Sequence, residues 1–178
     1  MGLFTWLADK IISEKSEEEK LILDLEEGIT FLKEARFKDK TNFLESLMDI
    51  NNPNIHRYDF TSFLENIDKS ISWLKEAHKR TLLLIGMLER DRQEEIFDSP
   101  QSYRKGMNLD HPGKEMLNFL AALEKELRNK LALLKKVHRE VKNHAIDDFY
   151  FVSKKEEEIK DLIILLNKNI MQLEALQR

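Results

Sequence analysis

Glu140, His144, Asp147 and Asp148 come nearest, in type and spacing, to a reactive constellation in this chain. Steps of four, then three or four, set them along one face of a helix. A carboxylate–imidazole–carboxylate row of that kind can hold Zn²⁺ or Mn²⁺. His56 falls at the same end of the expected bundle and could add a ligand. Arg139 stands immediately before Glu140 and supplies a cation to the same region. An Arg and a His also bring together a cation and a proton acceptor, the two groups that RNA cleavage calls on. The imidazole accepts the 2′-hydroxyl proton, and the guanidinium steadies charge developing on the phosphate. Lys125, Arg128, Lys135, Arg139 and Lys142 share one side of that helix, a stripe able to follow a phosphate backbone.

The stretch from Arg139 to His144 resembles the Arg-x4-His active-site motif of the HEPN ribonucleases. That resemblance implies a helical bundle working as a dimer, with Arg139 and His144 as the catalytic pair. The family pattern has a polar residue after the Arg and a Tyr two places beyond the His. This chain has Glu140 and Ile146 there. Other chemistries leave no signature. The five glycines form no phosphate loop, and neither a Gly-x-Ser-x-Gly turn nor a His-Glu-x-x-His helix occurs. Glu26, Glu27, Glu45 and Asp49 do not follow the acidic spacing of the helical nucleotide pyrophosphatases. His78 and His138 sit on apolar stripes where Leu is expected. A di-iron bundle would need Glu-x-x-His, which is missing. Counted from their helix starts, the two histidines are offset by roughly 9 Å, so they are read as separate, buried or half-buried groups hydrogen-bonded to backbone or Glu.

Two segments could carry recognition. In residues 2–13, Leu3, Phe4, Leu7, Ala8 and Ile11 cluster on one side of a helical wheel, with Trp6 and Lys10 at its edge. A short amphipathic helix with Trp at its rim can lie in a membrane interface. The opening Met1-Gly2-Leu3-Phe4 resembles the first helices of ESCRT-III and phage-shock membrane-remodelling proteins, which implies a membrane surface as partner. The other reading folds this helix back onto the bundle. The connection from Asp98 to Asp110 is longer than the roughly 2–8 residues usual in bundles and carries Tyr103, Arg104 and Lys105. Phe4, Trp6, Leu7, Ile11, Tyr103 and Arg104 are therefore the candidate binding residues.

The elements that must position these groups are long helices. Ser16 with Glu19, Ser62 with Glu65 and Ser153 with Glu156 match the capping-box spacing, and Asp110 before Pro112 marks a fourth start. Behind the starts run apolar stripes in steps of three and four: Ile22 to Leu32, resuming at Phe43; Phe60 to Leu88; Met116 to Ala145; Ile159 to Leu173. Arg36, Asp39 and Lys40 interrupt the first, which marks a kink or break near 36–41. The pattern predicts an all-α fold, an antiparallel up-down-up-down four-helix bundle with a short extra N-terminal amphipathic helix. The expected helices are about 3–13, 16–50, 60–97, 112–147 and 153–176, in one domain over 1–178. The fourth helix is the shortest of the long ones in this reading, which leaves an apolar groove at the N-terminal end.

Composition agrees. Apolar residues are 42% and charged residues 35% of 178, as amphipathic helices with solvated outer faces require. The net charge of −4 excludes a global basic field, although a local patch is compatible with it. No cysteine is present, so disulfides and thiolate sites are excluded. No apolar run approaches a membrane span, the N-terminus does not read as a signal peptide, and Trp6 stands where myristoylation needs Ser or Thr. The sequence is read as a cytoplasmic, non-catalytic interaction or assembly module without a cofactor. Its expected partner is a protein or a second copy, with a membrane surface, or nucleic acid along the basic stripe, as alternatives.

Overall fold

Ser16 starts the first helix as its spacing predicts. Its hydroxyl accepts from the Glu19 amide at 3.2 Å, and the Glu19 carboxylate accepts from the Ser16 amide at 3.0 Å. Two amides that the first turn leaves unpaired are thereby satisfied. A computed structural model of the chain describes residues 15–37, 60–98, 112–143 and 149–178. Four helices fill these stretches: α1 (Glu17–Glu34), α2 (Thr61–Asp98), α3 (Pro112–Asn143) and α4 (Phe149–Leu176). The fold is all-α, with no strand among the described residues.

Two boundaries and one cap differ from the sequence expectation. α1 stops at Glu34 instead of running to about residue 50. The Asn66 side-chain amide donates to the Glu34 carbonyl at 3.2 Å, and Ala35 closes back on Leu32. Phe37 then turns inward, stacked on Phe63 with centroids 4.1 Å apart and edge-on to Phe60 at 5.8 Å. Burying that ring draws the chain off the helix axis where the apolar stripe is already interrupted. α2 begins at Thr61, so Ser62 lies inside its first turn and is not the cap; the first helical bond runs from the Leu64 amide to the Phe60 carbonyl. α4 begins at Phe149, so Ser153 is interior. The extra turn lets Val152 bury itself and Phe151 pack on the core. With 28 residues in α4 and 18 in α1, the shortest described helix is the first and not the fourth.

α1 packs on α2 and on α4, and α3 packs on the same two helices; α1 and α3 do not meet, nor do α2 and α4. Contacts across three of the four seams run in opposite order along the two helices. From α1 to α2 the pairs are Glu34 with Asn66, Gly28 with Ser70, and Asp24 with Arg80. From α2 to α3 they are Asp68 with His138 and His78 with Glu124. From α3 to α4 they are Glu126 with Asn169 and Glu140 with Lys155. The core between the four helices is mainly aliphatic, with Leu21, Leu25, Ile67, Leu74, Leu120, Leu127, Leu134, Leu166 and Leu173 wholly buried together with the Phe63 ring. Its driving force is removal of apolar surface from water, about 25 cal/mol per Å².

Candidate functional site

Among the described residues, polar side chains gather along the seams between helices. At the α1–α2 seam the Arg80 guanidinium donates to Asp24 at 2.8 Å and to Glu17 at 2.6 Å, while Lys20 also reaches Glu17 at 2.6 Å. Asp24 is only 6% exposed. The hydrogen bond to Asp24, more than that to Glu17, holds the guanidinium above its usual pKa. Bonds from Lys20 and then Arg80 hold Glu17 below the ordinary carboxylate range.

The α2–α3 seam carries two reciprocal imidazole–carboxylate contacts. His78 of α2 meets Glu124 of α3 at 2.9 Å, and His138 of α3 meets Asp68 of α2 at 3.2 Å. Both histidines are half-buried and have separate partners, as expected, although the partner of His138 is Asp and not Glu or backbone. The hydrogen bond from His78 lowers the pKa of Glu124, and the nearby Arg128 charge adds to it.

At the α3–α4 seam Lys155, 6% exposed, donates to Glu140 and also reaches Glu158 at 3.4 Å. Its ammonium lies 5.4 Å from the centre of the Phe151 ring. Burial opposes the charge on Lys155, but Glu140 and Glu158 outweigh it and raise its pKa. In turn the bond from Lys155, aided by Lys136 and Lys154, depresses Glu140. Asn169 donates to Glu126 at 2.7 Å further along the same seam.

A depressed carboxylate stabilises the fold above its unfolded pKa, and the contribution disappears as pH falls through the folded pKa. Glu140→Gln is therefore expected to lower the thermal midpoint at neutral pH and to match the native chain once the carboxylate is protonated. Melting curves from pH 7 down to pH ~2.5 check this. A constant gap across that range would show that the charge of Glu140 does not contribute.

These contacts place some of the sequence candidates. Arg139 is exposed on the outward side of α3. Glu140 beside it is half-buried and engaged by Lys155. The basic stripe is present as read: Lys125, Arg128, Lys135, Arg139 and Lys142 are all exposed. His144, Asp147 and Asp148 lie outside the described residues, as do His56, Phe4, Trp6, Leu7, Ile11, Tyr103 and Arg104. No cluster of three or more His, Asp or Glu suited to a metal ion occurs among the described residues. No helix among them is long and apolar enough to cross a membrane.

Asp24, Ser70, Lys155 and Asn169 were not singled out from sequence. Each occupies a stripe position: Asp24 follows Leu21 by three, Ser70 precedes Leu74 by four, Lys155 precedes Ile159 by four, and Asn169 follows Leu166 by three. A polar residue on the buried period is the signal that marks them. Among the described residues an apolar cluster is also exposed on α2. Leu82, Leu83 and Met87 of α2 are 49%, 52% and 43% exposed, with Gly86 open between them.

The class defined by these features is an all-helical chain whose polar groups serve as interhelical ties. Compared with protein-family models, with curated proteins and with solved structures, the chain matches none of them.

Proposed function

We propose that this chain is a non-catalytic helical assembly module. Its architecture in this reading is an antiparallel up-down-up-down four-helix bundle with a short amphipathic helix at about residues 3–13. The opposed order of contacts along the α1–α2, α2–α3 and α3–α4 seams supports that arrangement. The module pairs with a second copy of itself through the outer face of α2.

The observation that carries the reading is the exposed cluster Leu82, Leu83 and Met87. Single exposed apolar residues need no explanation, but three within two turns do. Gly86 lies in the same patch, and a Cβ built there would meet nothing within 4 Å. A second helix can therefore approach closely. With two α2 helices antiparallel and the patch centred on itself, Leu82 of one copy stands opposite Met87 of the other and Leu83 opposite Gly86, so the apolar faces cover each other. The start of α1 lies beside this patch. Glu17, at the start of α1, is tied to Arg80 one turn before Leu83, and α2 ends at Asp98.

Sedimentation velocity of the full chain over a concentration series tests the reading. The native chain is expected to dimerise, and Leu83→Lys with Met87→Lys to remain monomeric with unchanged helical circular dichroism. A native chain that stays monomeric throughout, or a variant that dimerises normally, would overturn it.

A further inference from the structure

The charge on this molecule is sorted by helix. α1 carries seven acidic residues against two basic ones. α3 carries eight basic residues, Lys114, Lys125, Arg128, Lys130, Lys135, Lys136, Arg139 and Lys142, against four acidic ones. The two helices do not touch and sit across the bundle from each other. A chain of net charge −4 therefore presents one basic side.

The sorting is sharper at the level of side chains. Seven of the eight basic residues of α3 are exposed, all but Lys130. Arg128 and Lys136 are well exposed even though each keeps a loose 3.8 Å ion pair. Past the first turn, no acid of α3 shares that exposure. Glu124 turns to His78 on α2, while Glu126 and Glu140 turn to Asn169 and Lys155 on α4. Each seam thus withdraws carboxylates from the outer surface and leaves the cations facing water. Small residues, Asn118, Ala121, Asn129 and Ala132, are exposed between them.

We infer that the outward face of α3 binds the sugar–phosphate backbone of duplex nucleic acid. From Lys125 to Lys142 the row is about 26 Å long, enough to bridge the phosphates flanking a groove about 12 Å wide. Other polyanions fit less well. A membrane-surface helix needs large apolar side chains beside its cations, and no exposed large hydrophobic residue lies on α3. Single-strand binding needs aromatic platforms on which bases stack, and this face has none. Contacts made only to phosphates fix position without reading sequence. The acidic α1 side repels the same polyanion and orients its approach to the α3 side.

Fluorescence anisotropy of the full chain against 25-bp DNA and RNA duplexes, each in two unrelated sequences, tests this. Vesicles with about one third phosphatidylserine serve as the competing polyanion. Binding is expected to be indifferent to sequence, with log K falling against log salt at a slope of about −4 for four or five phosphate contacts. Comparison of the two duplexes tells which backbone geometry the row prefers. Lys135→Ala, Arg139→Ala and Lys142→Ala together are expected to weaken binding at least tenfold and to reduce the slope by two to three. A control triple on α4, Lys154→Ala, Lys160→Ala and Lys168→Ala, is expected to change it less than twofold. Equal loss in the control, no duplex binding at low salt, or binding to vesicles alone would overturn the inference. Circular dichroism of both triples separates lost binding from lost folding.

Discussion

Leu74→Ala is expected to cost about 3–4 kcal/mol of stability, Gly28→Ala about 1–2, and the two together less than their sum. Leu74 is wholly buried, and the missing side chain at Gly28 lets it approach α1. A Cβ built on Gly28 would stand 2.7 Å from Leu74 Cδ2 and 3.0 Å from its Cγ. The Gly28 carbonyl also accepts from the Ser70 hydroxyl at 2.8 Å, one turn away, so the two backbones are held close. Truncating Leu74 removes transfer energy and leaves a cavity. At Gly28, alanine gains about 1 kcal/mol of helix propensity, but the methyl forces the Leu74 side chain aside in a core without slack, and overpacking costs about 1–3 kcal/mol. In the Leu74→Ala background the same methyl enters vacated space. A double-mutant cycle by denaturant unfolding measures the coupling, expected at about 1 kcal/mol or more. Additive effects, or a Gly28→Ala variant more stable than the native chain, would show that the close approach does not set the α1–α2 spacing.

The same stretch shows what sequence reading captures. The steps of three and four in α2, α3 and α4 reflect burial of one face of a helix, so the all-α class follows from pattern alone and much of the core with it, although in α2 Phe63 and Leu84 are buried where the pattern puts Leu64 and Ile85. Leu120, Leu127, Leu134 and Val141 are buried where the period puts them. The end of α1 depends on Asn66 capping Glu34 and on Phe37 stacking on Phe63, contacts between residues about 30 positions apart. A local period carries no trace of those. Lys155 and Asp24 illustrate the converse. On a wheel they interrupt an apolar stripe, and only the approach of Glu140 and of Arg80 makes them compatible with burial. The basic stripe on α3 was legible as a row of Lys and Arg. That the intervening glutamates turn sideways into the seams was not, because each rotation is decided by a partner on another helix. The apolar patch at Leu82, Leu83 and Met87 was hidden for a related reason. It belongs to the most apolar run of α2, Leu82 to Leu88, and periodicity assigns such a run to the core without saying which of its residues face outward.

Removing Asp24 is expected to test whether these polar ties stabilise the fold or only select its register. Asp24→Ala leaves the Arg80 guanidinium half-buried with Glu17 as its remaining carboxylate. The expected loss is about 2–3 kcal/mol, below the 3–5 of a fully buried pair, because Arg80 keeps some contact with water. Replacing both partners, Asp24→Leu with Arg80→Leu, removes two desolvated charges together and should return to within about 1 kcal/mol of the native chain. The asymmetry arises because most of the single-mutant loss is an uncompensated charge and not the worth of the pair. Salt separates this from a surface effect. At 1 M salt the screening length is about 3 Å, so an exposed pair would lose its contribution, whereas the loss on Asp24→Ala should persist. A single mutant as stable as the native chain would mean that the Asp24–Arg80 tie contributes no net stability. If instead the double mutant is stable but unfolds less cooperatively, the tie acts mainly to hold α1 in one register against α2, as the run of Glu34–Asn66, Gly28–Ser70 and Asp24–Arg80 contacts suggests.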